Sequence, residues 1–89
     1  MEFEWDEAKR ANNLVKHEID FAQAGKFEWG TAMIRPDLRR HYGEHRLRAS
    51  GLINDRLHIL IFTNRGPRTR VISLRKANDK EIAEYEETH

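Results

Sequence analysis

The stretch RLHILIFTNRGPRTRVISLR, residues 56–75, decides the fold. Its first part, residues 56–63, is strongly apolar, and the uninterrupted run at 59–62 is typical of a strand buried on both faces. Residues 64–67 contain the Gly and Pro of a turn. Residues 68–75 follow as a further strand, so the stretch predicts a pair of antiparallel strands joined by a short connection.

The sequence before this stretch also alternates with a period of two. In residues 44–52, Glu44, Arg46 and Arg48 would lie on one face of a strand, and the other face would hold His45, Leu47 and Ala49. Asn54-Asp55 can adopt the positive φ angles of a tight hairpin turn. Residues 31–35 are predicted as a strand that Pro36 ends.

Two helices are predicted near the N-terminus, after a short strand at residues 3–5. Asp6 is a good N-cap for a helix that ends near His17. The apolar positions of this helix fall at helical spacing; they are Ala8, Ala11, Leu14 and Val15. Residues 20–23 form a capping box that opens a second helix, and Gly30 ends it.

A second capping box at residues 78–81 opens a C-terminal helix that contains Ile82 and Tyr85. The predicted order is therefore β-α-α-β-β-β-β-α. Helices grouped before an antiparallel meander indicate an α+β fold in which a sheet packs against helices. At 89 residues the chain is expected to form one domain, residues 1–89.

Charge is distributed unevenly along the chain. Residues 35–76 contain eleven of the sixteen Lys and Arg residues and three acids, a net charge of +8, whereas residues 1–34 carry −3 and residues 77–89 carry −4. An arginine-rich surface is typical of a partner that bears phosphate, because the guanidinium fork pairs with phosphate oxygens at two points. The alternative is a lattice of internal salt bridges between the middle and the ends.

Composition excludes several classes of protein. The chain has no cysteine, so it has no disulfide framework and no thiolate metal site. It has no apolar run near the ~20 residues of a membrane span and no signal-peptide core, and we expect it in the cytoplasm, away from membranes. His41 and His45 would share a helix face only if their loop were helical, which Gly43 disfavours. We therefore predict no metal and no cofactor.

Several motifs run nearly from end to end of the chain and resemble one known family. They are Phe3-Glu4-Trp5-Asp6, Lys16-His17, Phe21, Arg40-His41-Tyr42-Gly43-Glu44, Arg46, Gly51, Phe62-Thr63, Arg65-Gly66, Arg70, Ile72-Ser73, Arg75, Ala77 and Tyr85-Glu86. With these residues the chain resembles the BrnT family of toxins. It departs from the family's pattern at Glu18, Asn64 and Leu74.

The resemblance implies a RelE-like fold and the toxin of a type II toxin–antitoxin pair. It implies a ribonuclease that cuts RNA and stops translation, without a metal. It also implies a BrnA-like antitoxin with a ribbon–helix–helix domain, through which the toxin would meet DNA only indirectly. A catalytically inactive module that binds RNA or the antitoxin, and a purely structural interaction domain, are the alternatives.

RNA cleavage of this kind needs a proton acceptor for the 2′-hydroxyl and cations for the charge that develops on phosphorus. The predicted catalytic residues are Glu44, Arg75, Arg65 and His41. The predicted RNA-binding residues are Arg40, Arg46, Arg48, Arg70, Ser73 and Lys16. Glu44 beside arginines would be ionised and hence a weak base, so His41 and His45 are the alternative acceptors.

Each of these residues also has a simpler explanation. Glu44 could be a cross-strand ion pair, and His17 could be a partner of the helix dipole. Trp5 and Trp29 could stack on bases, but tryptophans beside helices usually belong to the core. In a regular strand Arg70 and Arg75 would lie on opposite faces, so they could line one site only across a bulge or twist.

Overall fold

The computed structural model describes residues 1–39 and 43–89. Its elements, in chain order, are β1 (Glu2–Glu4), α1 (Glu7–His17), two 3₁₀ helices (Phe21–Lys26 and Trp29–Thr31), β2 (Met33–Pro36), β3 (Leu47–Ile53), β4 (Arg56–Arg65), β5 (Arg68–Lys76) and α2 (Asp79–Glu87). The predicted α+β class is confirmed.

The strands form one sheet in the order β1-β5-β4-β3-β2. Strands β2 to β5 are antiparallel neighbours, as predicted. The prediction of a wholly antiparallel sheet is wrong at one edge, because β1 pairs with β5 in parallel. A parallel pair needs a long connection between its strands, and nearly the whole chain lies between these two.

Strand β4 is buried on both faces, as its apolar run predicted. Leu60 and Phe62 belong to a core that includes Phe21 and Phe27 from the first 3₁₀ helix and its end. Ile59 and Ile61 point to the other face, where they pack with Tyr85 of α2. The 3₁₀ helices and α2 therefore cover opposite faces of the sheet.

The second predicted helix is 3₁₀ rather than α. The Asp20 carboxylate accepts a hydrogen bond from the Ala22 N–H at 2.9 Å, but among the described residues the Gln23 side chain does not return the bond of a capping box. The element ends at Lys26, before Gly30, because Phe27 turns into the core. Its ring lies against Gly51, where a Cβ atom would stand 2.3 Å from a ring carbon.

Helix α1 has the predicted bounds and the predicted N-cap, but the predicted apolar face is wrong. Val15 is 85% exposed and Leu14 40% exposed, and both Ala8 and Ala11 are exposed. The buried side chain of this helix is Asn13. Its amide donates to the Leu74 carbonyl at 2.7 Å, and its oxygen accepts from the Leu74 N–H at 3.2 Å.

The position of α1 at the edge of the sheet explains why its buried residue is polar and its apolar residues are exposed. Strand β1 pairs with β5 from Arg68 to Arg70, and in the part of the chain that the structure describes no strand lies beside the outer edge of β5 beyond Arg70. Backbone groups at such an edge need hydrogen-bond partners. Helix α1 lies there and supplies them from a polar side chain, so its inner face is polar.

The turns and the last helix follow the sequence closely. Asn54 and Asp55 have φ angles of 49° and 64°, as the hairpin prediction requires. The Asn78–Glu81 capping box is present in both directions. Tyr85 is buried, and its hydroxyl donates to the Thr31 carbonyl at 2.9 Å, which fixes α2 on the sheet.

Both tryptophans pack against the core. The Trp29 ring centroid lies 5.3 Å from that of Phe62, with the rings nearly perpendicular. Trp5 meets Phe21 in the same edge-to-face manner at 6.2 Å. These contacts favour the core role over base stacking for the two residues.

Candidate active site

A bulge in β5 brings the predicted arginines of that strand to one face. Ile61 pairs with Ser73 and Phe62 pairs with Val71, so Ile72 is an extra residue with no partner on β4. Residues opposite each other in an antiparallel pair share a face. Arg75, Ser73 and Arg70 therefore all lie on the face that α2 partly covers, and the opposite faces expected of a regular strand are not found.

The most buried ionic group on this face is the Glu81 cluster, which consists of Glu81, Arg48 and Arg75. The Arg75 guanidinium donates from Nη1 to Glu81 Oε1 and from Nη2 to Oε2, each at 2.8 Å. Arg48 Nη2 also donates to Oε2. The carboxylate accepts a fourth bond from the Asn78 N–H at 2.9 Å, through the capping box.

These contacts fix the ionisation states of the cluster. The Arg75 hydrogen bonds lower the pKa of Glu81 to about 2, although burial opposes them. The same bonds raise the pKa of Arg75. The cluster thus holds two cations and one anion at neutral pH, with the Glu81 side chain only 10% exposed.

An open cleft of about 500 Å³ lies over the Glu81 cluster. Its other wall is the segment after β2, which contains Asp37 and Arg39. The buried Asp37 carboxylate accepts two bonds from Arg39, at 2.8 Å from Nε and 2.9 Å from Nη2. Arg39 and Arg75 both line this cleft, and the positive charge of Arg39 opposes the rise in the pKa of Arg75 that its bonds to Glu81 cause.

A second ionic group on the same face, the Glu44 cluster, consists of Glu44, Arg46 and Arg65. Arg46 Nε donates to Glu44 Oε2 at 3.1 Å, and Arg65 Nη2 donates to Oε1 at 3.4 Å. The Arg46 bond is the main cause that lowers the pKa of Glu44. Glu44 is therefore ionised and a weak proton acceptor, as the sequence predicted.

Arg65 and Arg75, one from each cluster, lie far apart on the sheet. The backbone of Arg65 is six residues along β4 from Ile59, the residue that pairs with Arg75. At ~3.3 Å per residue this is roughly 20 Å. The structure brings Glu44 together with Arg65 and Arg46, and Arg75 together with Arg48. Arg46 and Arg48 are only two residues apart in the chain, so the two groups of predicted site residues are neighbours there.

The remaining predicted residues lie around these clusters. Arg70 donates to Glu4 of β1 at 2.6 Å, and each side chain is 25% exposed. Ser73 lines a small groove with Lys16, between β5 and α1. His45 is exposed, and its carbonyl accepts a bond from Thr63 Oγ1 at 2.7 Å. The predictions at Arg40 and His41 lie outside the described residues.

Sequence reasoning missed Glu81 and Arg39 as members of the site. Glu81 was recognised only as half of a capping box, because its partner Arg48 is 33 residues away in the sequence. Arg39 lies between the strands predicted at residues 31–35 and 44–52, and no role was predicted for it. The available signal was Asp37, since an acid two residues before an arginine in a basic segment can hold that arginine in place.

The described residues contain neither a metal-binding cluster nor a membrane-spanning helix. Among residues 1–39 and 43–89, no three His, Asp or Glu side chains lie close enough together to hold a metal ion. In the same ranges, no helix is both long and apolar enough to cross a membrane.

The comparison with protein families identifies the class to which this fold and site belong. The model of the ribonuclease toxin BrnT of type II toxin–antitoxin systems matches residues 5–81. The chain therefore belongs to the BrnT family of ribonuclease toxins, and a protein antitoxin is the partner that such a system implies. No curated protein matches the chain.

The matched region contains both walls of the cleft, from Asp37 to Glu81.

Proposed function

We propose that the chain is a toxin of RelE-like fold that cuts RNA in the cytoplasm, without a metal, and so inhibits translation. The observation that carries this proposal is the cleft in which Arg39, Arg48 and Arg75 converge, in a chain of a ribonuclease toxin family. Guanidinium groups can stabilise the charge that develops on a phosphate during cleavage.

The reaction proposed is an attack of a ribose 2′-oxygen on the adjacent phosphorus. The 2′-O–H bond breaks, a 2′-O–P bond forms and the P–O5′ bond breaks, which leaves a 2′,3′-cyclic phosphate and a 5′-hydroxyl. Arg75 and Arg48 would bind the phosphate oxygens. Glu44, Arg65 and His41 remain predicted catalytic residues, with Glu44 or His41 as the proton acceptor.

Glu81 takes up part of the donor capacity of both arginines. The carboxylate accepts one N–H from each Nη atom of Arg75, and Nη1 also donates to the Lys76 carbonyl at 3.3 Å. A guanidinium has five N–H groups, so within residues 1–39 and 43–89 Arg75 keeps its Nε–H and one N–H of Nη2. Arg48 donates to Glu81 through Nη2 and keeps its other N–H groups in the same ranges. Both arginines would therefore bind a phosphate while Glu81 holds them in place.

The other predicted ligands extend the RNA path along the same face. Arg46 and Arg70 lie toward the end of the sheet near the Glu44 cluster, and Ser73 and Lys16 lie at the edge of β5. Together with Arg40 these residues are the proposed RNA-binding set. The antitoxin proposed is a BrnA-like ribbon–helix–helix protein, and its DNA-binding domain would link the toxin to DNA.

Cleavage by the purified chain in the presence of EDTA tests the proposal. We expect the wild type to cut single-stranded RNA in EDTA, and Arg75→Ala to cut far more slowly. Arg56→Ala is the matched control, because Arg56 is exposed at the far end of β4. RNA binding without cutting would instead support the catalytically inactive module.

The salt dependence of RNA affinity distinguishes a protein that binds RNA phosphates from a purely structural interaction domain. With about four arginine–phosphate contacts, the slope of log K against log salt should be near −3, at ~0.7 per contact for single strands. Fluorescence anisotropy with a labelled RNA would measure it. A slope near zero, or no affinity at low salt, would contradict RNA binding by this face.

A further inference from the structure

A polar groove of about 210 Å³ separates α1 from the outer edge of β5. Residues Lys9, Asn12, Asn13, Lys16 and His17 line it from the helix, and Ile72 and Ser73 line it from the strand. The helix residues recur at the three- and four-residue spacing of one helix face. Asn13, the buried member of this set, is hydrogen-bonded to the Ile19 and Leu74 backbone, whereas Lys9, Asn12 and Lys16 are exposed and His17 is half-buried.

The groove opens beside the Glu81 cluster. Ser73 lines the groove and lies two residues from Arg75 on the same face of β5, roughly 7 Å along the strand. Asn13 fixes this arrangement, because its two bonds to Leu74 hold α1 against the strand between those residues. His17 follows Asn13 by one helical turn and therefore lies on the same side of α1.

The His17 imidazole is placed for proton transfer. It is half-buried, and within residues 1–39 and 43–89 neither of its ring nitrogens has a hydrogen-bond partner. Lys9 and Lys16 line the groove with it, Arg75 of β5 lies two residues beyond Ser73, and none of the described residues that line the groove is acidic. Burial first, then the charges of Lys16 and Arg75, lowers the pKa of His17.

We propose that His17 is the catalytic residue that takes the proton from the attacking 2′-hydroxyl, an inference that rests on the proposed function. A phosphate held by Arg48 and Arg75 places the neighbouring ribose at the mouth of the groove. The 2′-O–H proton passes to a neutral ring nitrogen of His17 while the 2′-O–P bond forms. The departing 5′-oxygen takes its proton from solvent water, and the imidazolium later returns its own to solvent.

This placement distinguishes His17 from Glu44. Arg65, which binds Glu44, is roughly 20 Å along β4 from the residue that pairs with Arg75, and the Glu44 carboxylate is bound by two arginines. Its lowered pKa makes it a poor base. A histidine that is neutral at physiological pH accepts a proton far more readily.

A pH–rate profile under single-turnover conditions tests the inference. The wild-type rate should rise with pH and level off above a pKa below the usual histidine value. His17→Ala should lower the rate by ~10²–10⁴-fold and remove this rise. Added imidazole should restore part of the rate in a saturable way, which a merely structural role of His17 would not permit.

His89→Ala is the matched control, because His89 is exposed after the end of α2 and, among the described residues, is not one that lines the groove or the cleft. It should keep both the rate and the pH profile. Circular dichroism would establish that each variant is folded. A His17→Ala variant that is folded and cuts with the wild-type pH profile would overturn the inference while leaving the proposed function in place.

A measurement without turnover completes the test. An RNA with a 2′-deoxy ribose at the cleavage position cannot react, so NMR titration of the His17 ring can be followed in the complex. We expect this RNA to shift the resonances and the pKa of His17, and to leave the His89 resonances unchanged. Unchanged His17 signals in a saturated complex would overturn the inference, whereas failure of the wild type to cut any RNA would overturn the proposed function itself.

Discussion

The Glu81 cluster and the Glu44 cluster have the same composition, one glutamate between two arginines, on the same face of the sheet. They differ in how they are built. Glu44 and Arg46 are neighbours on one side of a single chain segment, and the Glu44 side chain is 30% exposed. Glu81 joins α2 to two strands and is 10% exposed.

Burial makes these two groups physically different. An ion pair at an exposed position contributes little to stability because water and salt screen it. Removal of one partner from a buried group leaves charges without compensation and is strongly destabilising. The Glu81 cluster therefore attaches α2 to the sheet as well as orienting two arginines, whereas the Glu44 cluster is mainly a charged surface.

Deletion of residues 78–89 tests the structural role of the Glu81 cluster most severely. It removes Glu81 and the buried Tyr85, and it exposes Leu57, Ile59 and Ile61. We expect the truncated chain to be unfolded by circular dichroism, since the loss approaches the whole stability of a small domain. Removal of His89 alone is the control and should leave a folded protein.

A folded truncation that binds RNA more tightly would contradict this expectation. It would show that α2 is a removable cover over Arg48 and Arg75 rather than part of the core.

The second prediction compares the clusters in catalysis. Arg75→Ala should lower the cleavage rate at saturating RNA by about 2–4 kcal/mol of transition-state stabilisation, with a smaller loss of affinity. Arg75→Lys should recover only part of the lost cleavage rate, because an ammonium group cannot form the two parallel hydrogen bonds of a guanidinium. Arg46→Ala, in the Glu44 cluster, should weaken binding and leave the saturated rate nearly unchanged. If Arg75→Ala and Arg46→Ala lowered the saturated cleavage rate equally, the two clusters would not differ in their role in catalysis.

The same contrast explains what could be predicted from the sequence. Features set by neighbouring residues were predictable: the Asn54-Asp55 turn, the Asn78–Glu81 capping box and the Glu44–Arg46 pair. Each depends on backbone preferences or on side chains two or three residues apart. The buried run in β4 was predictable because four consecutive apolar residues need two covered faces.

Features set by distant contacts were not predictable in this way. The inner face of α1 is polar because it meets the bare edge of β5, and that edge exists only because β1 is short. The β5 bulge has no local sequence signal, yet it decides which arginines share a face. Hydrophobic periodicity predicts the buried face of a helix on the assumption that the helix packs on the face of a sheet. That prediction was wrong for α1 because α1 packs against a strand edge.

The third prediction uses acid to separate the clusters. The folded-state pKa of Glu81 is about 2, below its unfolded value of 4.5. Its contribution is therefore complete above about pH 5 and is lost as the pH falls from 5 toward 2. By linkage this loss is roughly 3 kcal/mol. Urea unfolding at a series of pH values should show it in the wild type, and Glu81→Gln should lack most of this acid-dependent loss.

The last and smallest effect is expected at the Glu44 cluster. Glu44→Gln removes the charge but keeps a side chain of the same shape. Its amide oxygen can still accept a bond from Arg46, whose side chain is 15% exposed, and Arg65 remains hydrated because it is 52% exposed. The free energy of unfolding at pH 7 should change by less than about 1 kcal/mol, and the difference should shrink further in high salt. The stability of the Glu44→Gln variant should still fall between pH 5 and 2, since Glu81 is intact. Urea titrations of both glutamine variants, in low and in high salt, measure the contrast. If Glu44→Gln cost as much stability as Glu81→Gln, exposure would not be what separates the two clusters, and the Glu44 cluster would have to anchor the segment before β3 as firmly as Glu81 anchors α2.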